Sequence, residues 1–208
     1  MTDLDRQAAA TGQVVADMQH WLERAVIGLN LCPFAKAVHA RGQIHYEVSW
    51  ATQADAALLD LRRSLDDLLV HDTADRDTTL LVLPACFIDF LEFNAFLAPA
   101  QRLLRRMALE GSIQIASFHP DYQFADTLPE AITNYTNRAP YAALHLLRES
   151  SVARAVQAFP ATDTIYQRNI EKMQQLGHAG WQALGVRRSV CVDLPATRPT
   201  PNHGKIAP

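Results

Sequence analysis

Short apolar runs of strand character alternate along this chain with longer stretches of helical period, and that alternation predicts an α/β fold. The expected architecture is a single domain with a small, about three-stranded, mainly parallel sheet covered by helices, and a helical C-terminal third. The strand runs are residues 44–50, 78–83 and 113–118. The stretches between them are long enough for right-handed crossovers between parallel strands.

A first helix is expected from about Asp3 to Leu29, because Val14, Met18, Trp21, Leu22, Ala25, Val26 and Leu29 recur at three and four. Pro33 disfavours helical geometry at Cys32, so this helix should stop near Asn30. Ile44, Tyr46, Val48 and Trp50 alternate with polar residues, as in a half-buried strand. Over residues 53–71 a helical period sets Ala54, Leu58, Leu61, Leu65, Leu68 and Leu69 on one side. Thr78-Thr-Leu-Leu-Val-Leu83, closed by Pro84, reads as a central strand buried on both faces.

Residues 87–109 form a long helical pattern carrying Phe87, Phe90, Phe93, Phe96 and Leu97 on its core face, with Pro99 expected to kink or divide it and Gly111 at its C-terminal end. Ile113-Gln-Ile-Ala-Ser-Phe118 is the third strand. From Pro140 onward the pattern reads as helical over 140–149, 151–159 and 163–176, with Trp181 in a final turn. Residues 1–185 are therefore expected as one α/β domain, and 186–208, rich in proline and without periodicity, as a strap or disordered tail.

At 208 residues and 49% apolar, the chain can bury a core without a metal or disulfide. Its net charge of −3 and the lack of any Lys/Arg run longer than two give no electrostatic footprint for nucleic acid or an anionic membrane. The N-terminus lacks the basic and apolar regions of a signal peptide, and no apolar stretch approaches the roughly 20 residues that span a bilayer, so a cytoplasmic protein is expected. Cys32, Cys86 and Cys191 are odd in number and far apart, which fits reduced thiols. No Gly-rich phosphate loop, Rossmann fingerprint, Gly-x-Ser-x-Gly or His-Glu-x-x-His is present.

Chemistry-bearing residues concentrate in two polar runs, Ser117-Phe-His-Pro-Asp-Tyr-Gln-Phe124 and Asn134-Tyr-Thr-Asn-Arg-Ala-Pro-Tyr-Ala-Ala-Leu-His-Leu-Leu-Arg-Glu149. In an open parallel sheet, ligands bind beyond the carboxyl ends of the strands, which is where the third strand delivers His119, Asp121 and Tyr122. His119 suits proton transfer near neutrality, and Asp121 can fix its tautomer. The bland alternative is a His that caps backbone groups in a tight loop while Asp121 makes an Asx turn. A helix entered at Pro140 would set free N–H groups beside Asn137 and the Arg138 guanidinium, an anion site, unless Asn137 merely caps and Arg138 merely pairs. His145 and Glu149, four apart, would share a helical face and offer metal ligands, against the plainer reading of a half-buried His bonded to Glu149. Cys32, before Pro33, is a candidate nucleophile or haem thiolate, though a buried free thiol is the commoner case.

Trp21-Leu-Glu-Arg-Ala-Val-Ile-Gly-Leu-Asn-Leu-Cys-Pro-Phe-Ala35, Ala116-Ser-Phe-His-Pro-Asp-Tyr-Gln-Phe124, Asn134-Tyr-Thr-Asn-Arg138 and His145-Leu-Leu-Arg-Glu149 resemble the bacterial domain-of-unknown-function family numbered 1415, over residues 21–177. That family usually has Ser and Pro where this chain has Ala139 and Ala142, so no hydroxyl acts at the first position here. The resemblance implies a soluble bacterial protein of one domain and brings no reaction, cofactor or catalytic residue.

The leading expectation is thus an enzyme acting on a small anionic metabolite, with His119 as general acid/base, Asp121 orienting it and Arg138 holding the anion. Tyr122, Asn134 and Asn137 would line the pocket. The rivals are a metal or haem protein using some of His119, Asp121, His145, Glu149 and Cys32, and a non-catalytic binding or assembly module.

Overall fold

The computed structural model describes residues 2–158 and 165–190. Helix α1 (Asp3–Trp21) is opened by a Thr2 capping box and continues as one π-helical stretch, Leu22–Ile27. Wide-turn bonds mark that stretch: the Gly28 and Leu31 amides donate five residues back, to Glu23 and Val26, both at 2.9 Å. Asn30, at φ 55, ends the helix near the expected place. A short α2 (Ala35–Ala40) leads into β1 (Ile44–Val48). Then follow α3 (Ala54–Val70), β2 (Thr78–Val82), α4 (Phe90–Arg106), β3 (Ile113–Phe118) and a 3-10 turn, Ile132–Thr136. Last come β4 (Ala143–Arg148), α5 (Glu149–Ala158) and α6 (Ile165–Ala183).

The three expected strands are present, and β2 is buried at all its positions, as its unbroken apolar run requires. The mainly parallel sheet is corrected. Its order is β1-β2-β4-β3, with β1 and β2 parallel but β4 antiparallel to both of its neighbours. The segment expected as a helix over 140–149 is this fourth strand. Leu144 and Leu146 pack on one face of the sheet and Ala143 on the other, so tertiary burial on both sides overrides the helical propensity of an Ala/Leu run. Because β2 and β3 both run against β4, the three earlier strands still point the same way.

Each sheet face carries its own apolar layer. On one side Leu61, Leu65 and Leu68 of α3 and Phe93, Phe96 and Leu104 of α4 meet Leu81, Leu83, Leu144 and Leu146. On the other, Val14, Met18 and Trp21 of α1, with Met173 and Trp181 of α6, meet Leu80, Val82 and Ala143. Helix α4 runs unbroken through Pro99, against the expected division; five buried side chains on its core face offset the roughly 3 kcal/mol cost of an interior proline. The helical run of α6 is kinked at Gly177 (φ 63, ψ 178), just past the expected end at Leu176, and Trp181 lies in the short helical segment beyond the kink. No helix among the described residues is long and apolar enough to cross a membrane. Residues 186–190 form the first part of the expected strap; Cys191 and the prolines of the tail lie outside the described residues.

Candidate functional site

At the edge where β2 and β3 end, β4 begins, since Phe118 and Val82 both pair with Ala143. Three chain segments meet there: 83–88 after β2, 119–122 after β3 and 138–142 before β4. Between them lies a small cleft of about 60 Å³, bordered by Pro84, Cys86, Phe87, His119, Asp121, Tyr141 and Arg188. His119 and Asp121 are thus at the sheet edge where they were expected.

His119 is 1% exposed and both of its ring nitrogens are engaged by backbone. The Asp121 amide donates to Nδ1 at 3.0 Å, so Nδ1 is the acceptor, and Nε2 carries the proton and donates to the Phe87 carbonyl at 2.9 Å. The imidazole stacks on Phe93, with ring centroids 5.3 Å apart, and tilts against Phe90. Burial pushes its pKa down, outweighing the Phe87 carbonyl and the acids Asp121 and Asp89. His119 is therefore a neutral pin between the two loops, without a nitrogen free for proton transfer. The exposed Asp121 carboxylate has no hydrogen bond or ion pair among the described residues.

The remaining residues of the expected pocket hold the intervening loop instead. Arg138 donates through Nε to Tyr122 O at 3.2 Å and through a terminal nitrogen to Pro129 O at 2.6 Å, while its guanidinium lies 4.3 Å over the Tyr135 ring. Asn134, fully buried, accepts from the Phe124 amide and the Thr127 hydroxyl and donates to Leu128 O and Pro129 O. Asn137 donates to Ser117 O and accepts the His119 amide on its own carbonyl. Tyr122 packs between Phe90 and Phe124. No helix begins at Pro140, so the helix-terminus anion site at Arg138 does not form.

A different arginine borders the cleft. The strap brings Arg188 there, with its guanidinium 5.4 Å over the Tyr141 ring and donating to Pro84 O at 3.2 Å and Val190 O at 3.0 Å. Asp17 anchors the strap: its carboxylate accepts from Tyr141 Oη at 2.6 Å, from the Ser189 amide and hydroxyl, both at 2.8 Å, and from Gln13. Burial raises the Asp17 pKa, and these donors more than reverse it, so the carboxyl stays below its usual range. The Tyr141 hydroxyl accepts the Val190 amide at 3.0 Å, and burial with the Asp17 carboxylate pushes its pKa up to about 12.

Across the cleft the chain turns sharply, with Phe87 at φ 58. Ala85 and Cys86 of this turn are buried. Burial pushes the Cys86 thiol pKa up, against the Phe87 amide. Cys86 and Arg188 were missed by sequence reasoning. The rule that pointed to the loop after the third strand applies equally to the loop after the second, whereas Arg188 sits in a proline-rich tail without periodic signal. Asp17 had a signal, as the acid interrupting the apolar stripe of Val14, Met18 and Trp21.

The metal and haem residues do not assemble. His145 lies on β4 with its Nε2 unpartnered, and burial lowers its pKa to about 4; Glu149 starts α5. The Cys32 thiol receives the Phe34 and Ala35 amides, but burial dominates and raises its pKa. Among the described residues the one group of His, Cys, Asp or Glu with metal-ligand spacing is His45, Glu47 and Asp67.

A family model described as "Protein of unknown function (DUF1415)" matches residues 13–183. No curated protein and no solved structure matches the chain.

Proposed function

The chain belongs to the DUF1415 family, and from its cleft we propose an enzyme that acts on a small anionic metabolite. The observation that carries this reading is that Arg188 and the Asp121 carboxylate border one cleft with the turn after β2, at the carboxyl ends of β2 and β3. A guanidinium at the border of a cleft suits a carboxylate or phosphate. The Asp121 carboxylate at the rim is the group placed to exchange a proton with the bound molecule, and His119 holds the turn in shape through Phe87. Arg138, which the sequence favoured as the anion holder, is a clamp of the loop in this reading.

The test is thermal melting with and without phosphate and small dicarboxylates, on wild type, Arg188→Gln and Arg138→Gln. A ligand at about 100 times its dissociation constant adds roughly 2.7 kcal/mol if it binds only the folded state. The shift should appear in wild type and Arg138→Gln and vanish in Arg188→Gln. An unchanged wild-type melting point in every anion, or a shift that Arg188→Gln retains, overturns the reading.

A further inference from the structure

Away from the cleft, β1 and α3 bring together a set of side chains that the proposed function does not use. His45 and Glu47 are two apart on β1 and so share a face, and Asp67 reaches the same place from α3. One ligand atom from each lies within 4.8 Å of the others, and all three side chains are partly accessible.

The hydrogen bonds around this set leave one donor atom free on each residue. The hydroxyl of Ser64, a fully buried residue, donates to Glu47 Oε2 at 2.7 Å, and Oε1 has no partner among the described residues. Arg76 pairs with Asp67 Oδ2. His71 Nδ1 lies 3.7 Å from Oδ1 and is spent on the Asp67 backbone carbonyl at 2.8 Å. Neither ring nitrogen of His45 has a hydrogen bond among the described residues. Each carboxylate is therefore held through one oxygen and open at the other, the way outer partners orient metal ligands.

We propose that His45, Glu47 and Asp67 form a divalent-cation site fitted to zinc, with Ser64 and Arg76 as its orienting partners. One imidazole and two carboxylates are nitrogen and oxygen donors that zinc takes at about 2.0–2.2 Å, and three protein ligands leave a fourth position for water. Closing onto such an ion requires the donor atoms to approach by about an ångström, within rotamer adjustment of half-exposed side chains. Asp67 keeps Arg76 on Oδ2 while Oδ1 binds the ion.

Calorimetric titration of Zn²⁺ into untagged, chelator-stripped protein tests the site, with Co²⁺ as a spectroscopic substitute. Wild type should bind one equivalent that His45→Ala and Glu47→Gln each weaken tenfold or more, and Ser64→Ala should weaken it to a lesser degree. The cobalt form should lack a thiolate charge-transfer band, because no cysteine takes part. Melting curves in chelator report whether each variant folds, and Glu47→Gln, nearly isosteric, serves if His45→Ala does not. No zinc binding in wild type, binding that both variants retain in full, or a thiolate band in the cobalt form overturns the site.

Discussion

His119 donates from Nε2 to the Phe87 carbonyl at 2.9 Å, so a histidine at the end of β3 fixes the backbone of the turn that follows β2. Phe87 sits at φ 58, a conformation that a bulky residue keeps only when its surroundings impose it. His119→Phe keeps the ring stack but loses both backbone bonds, and should cost about 2 kcal/mol of stability. Chemical denaturation measures this. A variant as stable as wild type would show that the bonds do not hold the turn.

Acid should weaken the fold partly through His145. Its folded pKa of about 4 lies below the unfolded value near 6.5, so the folded state favours the neutral ring. That contribution is fully present above about pH 6.5 and is lost as pH falls toward 4, because the unfolded chain then binds the proton more readily. The loss is on the order of 3 kcal/mol. Urea midpoints between pH 7 and 4 should fall less steeply for His145→Phe than for wild type, and equal slopes would remove His145 from the account.

Release of the strap should follow from Asp17→Ala, which deletes the acceptor for Tyr141, Ser189 and Gln13. Trypsin should then cut after Arg187 or Arg188 in the native variant several times faster than in wild type. Tyr141→Phe, which keeps the Ser189 bonds, should have a smaller effect. Equal cleavage rates in Asp17→Ala and wild type would mean that other contacts hold the strap.

Arg138→Ala should lower the ligand-free melting point, since it frees the Tyr122 carbonyl, leaves Pro129 O with Asn134 as its side-chain donor and uncovers the Tyr135 ring. About 2 kcal/mol is expected for hydrogen bonds from a charged donor. An unchanged melting point would return Arg138 to the list of ligand-binding groups.

The elements with a clean period were legible: α1, α3, the half-buried β1 and the fully buried β2 stand close to where their apolar spacing put them. β4 was not, because a strand buried on both faces shows no alternation, and Ala142-Ala-Leu-His-Leu-Leu147 holds no β-branched residue. That one misreading made His145 and Glu149 look like neighbours on a helix and gave Arg138 a helix terminus that does not exist. The location of the cleft was legible from the strand-end rule, but the division of labour within it was not. Which polar side chains bind backbone and which stay free is decided by the fold of residues 119–138, where Asn134 and Arg138 close on carbonyls near in sequence.

The insertion of β4 between β2 and β3 bears on how the chain assembles. Among the described residues the last strand to leave the ribosome is the one that joins β2 to β3, so these two keep unpaired edges until Ala143–Arg148 has been made. Such edges are templates for pairing with other chains. A nascent or truncated product ending before Ala143 should therefore aggregate rather than fold in part, and the completion of this sheet is a late step that closes long loops at once.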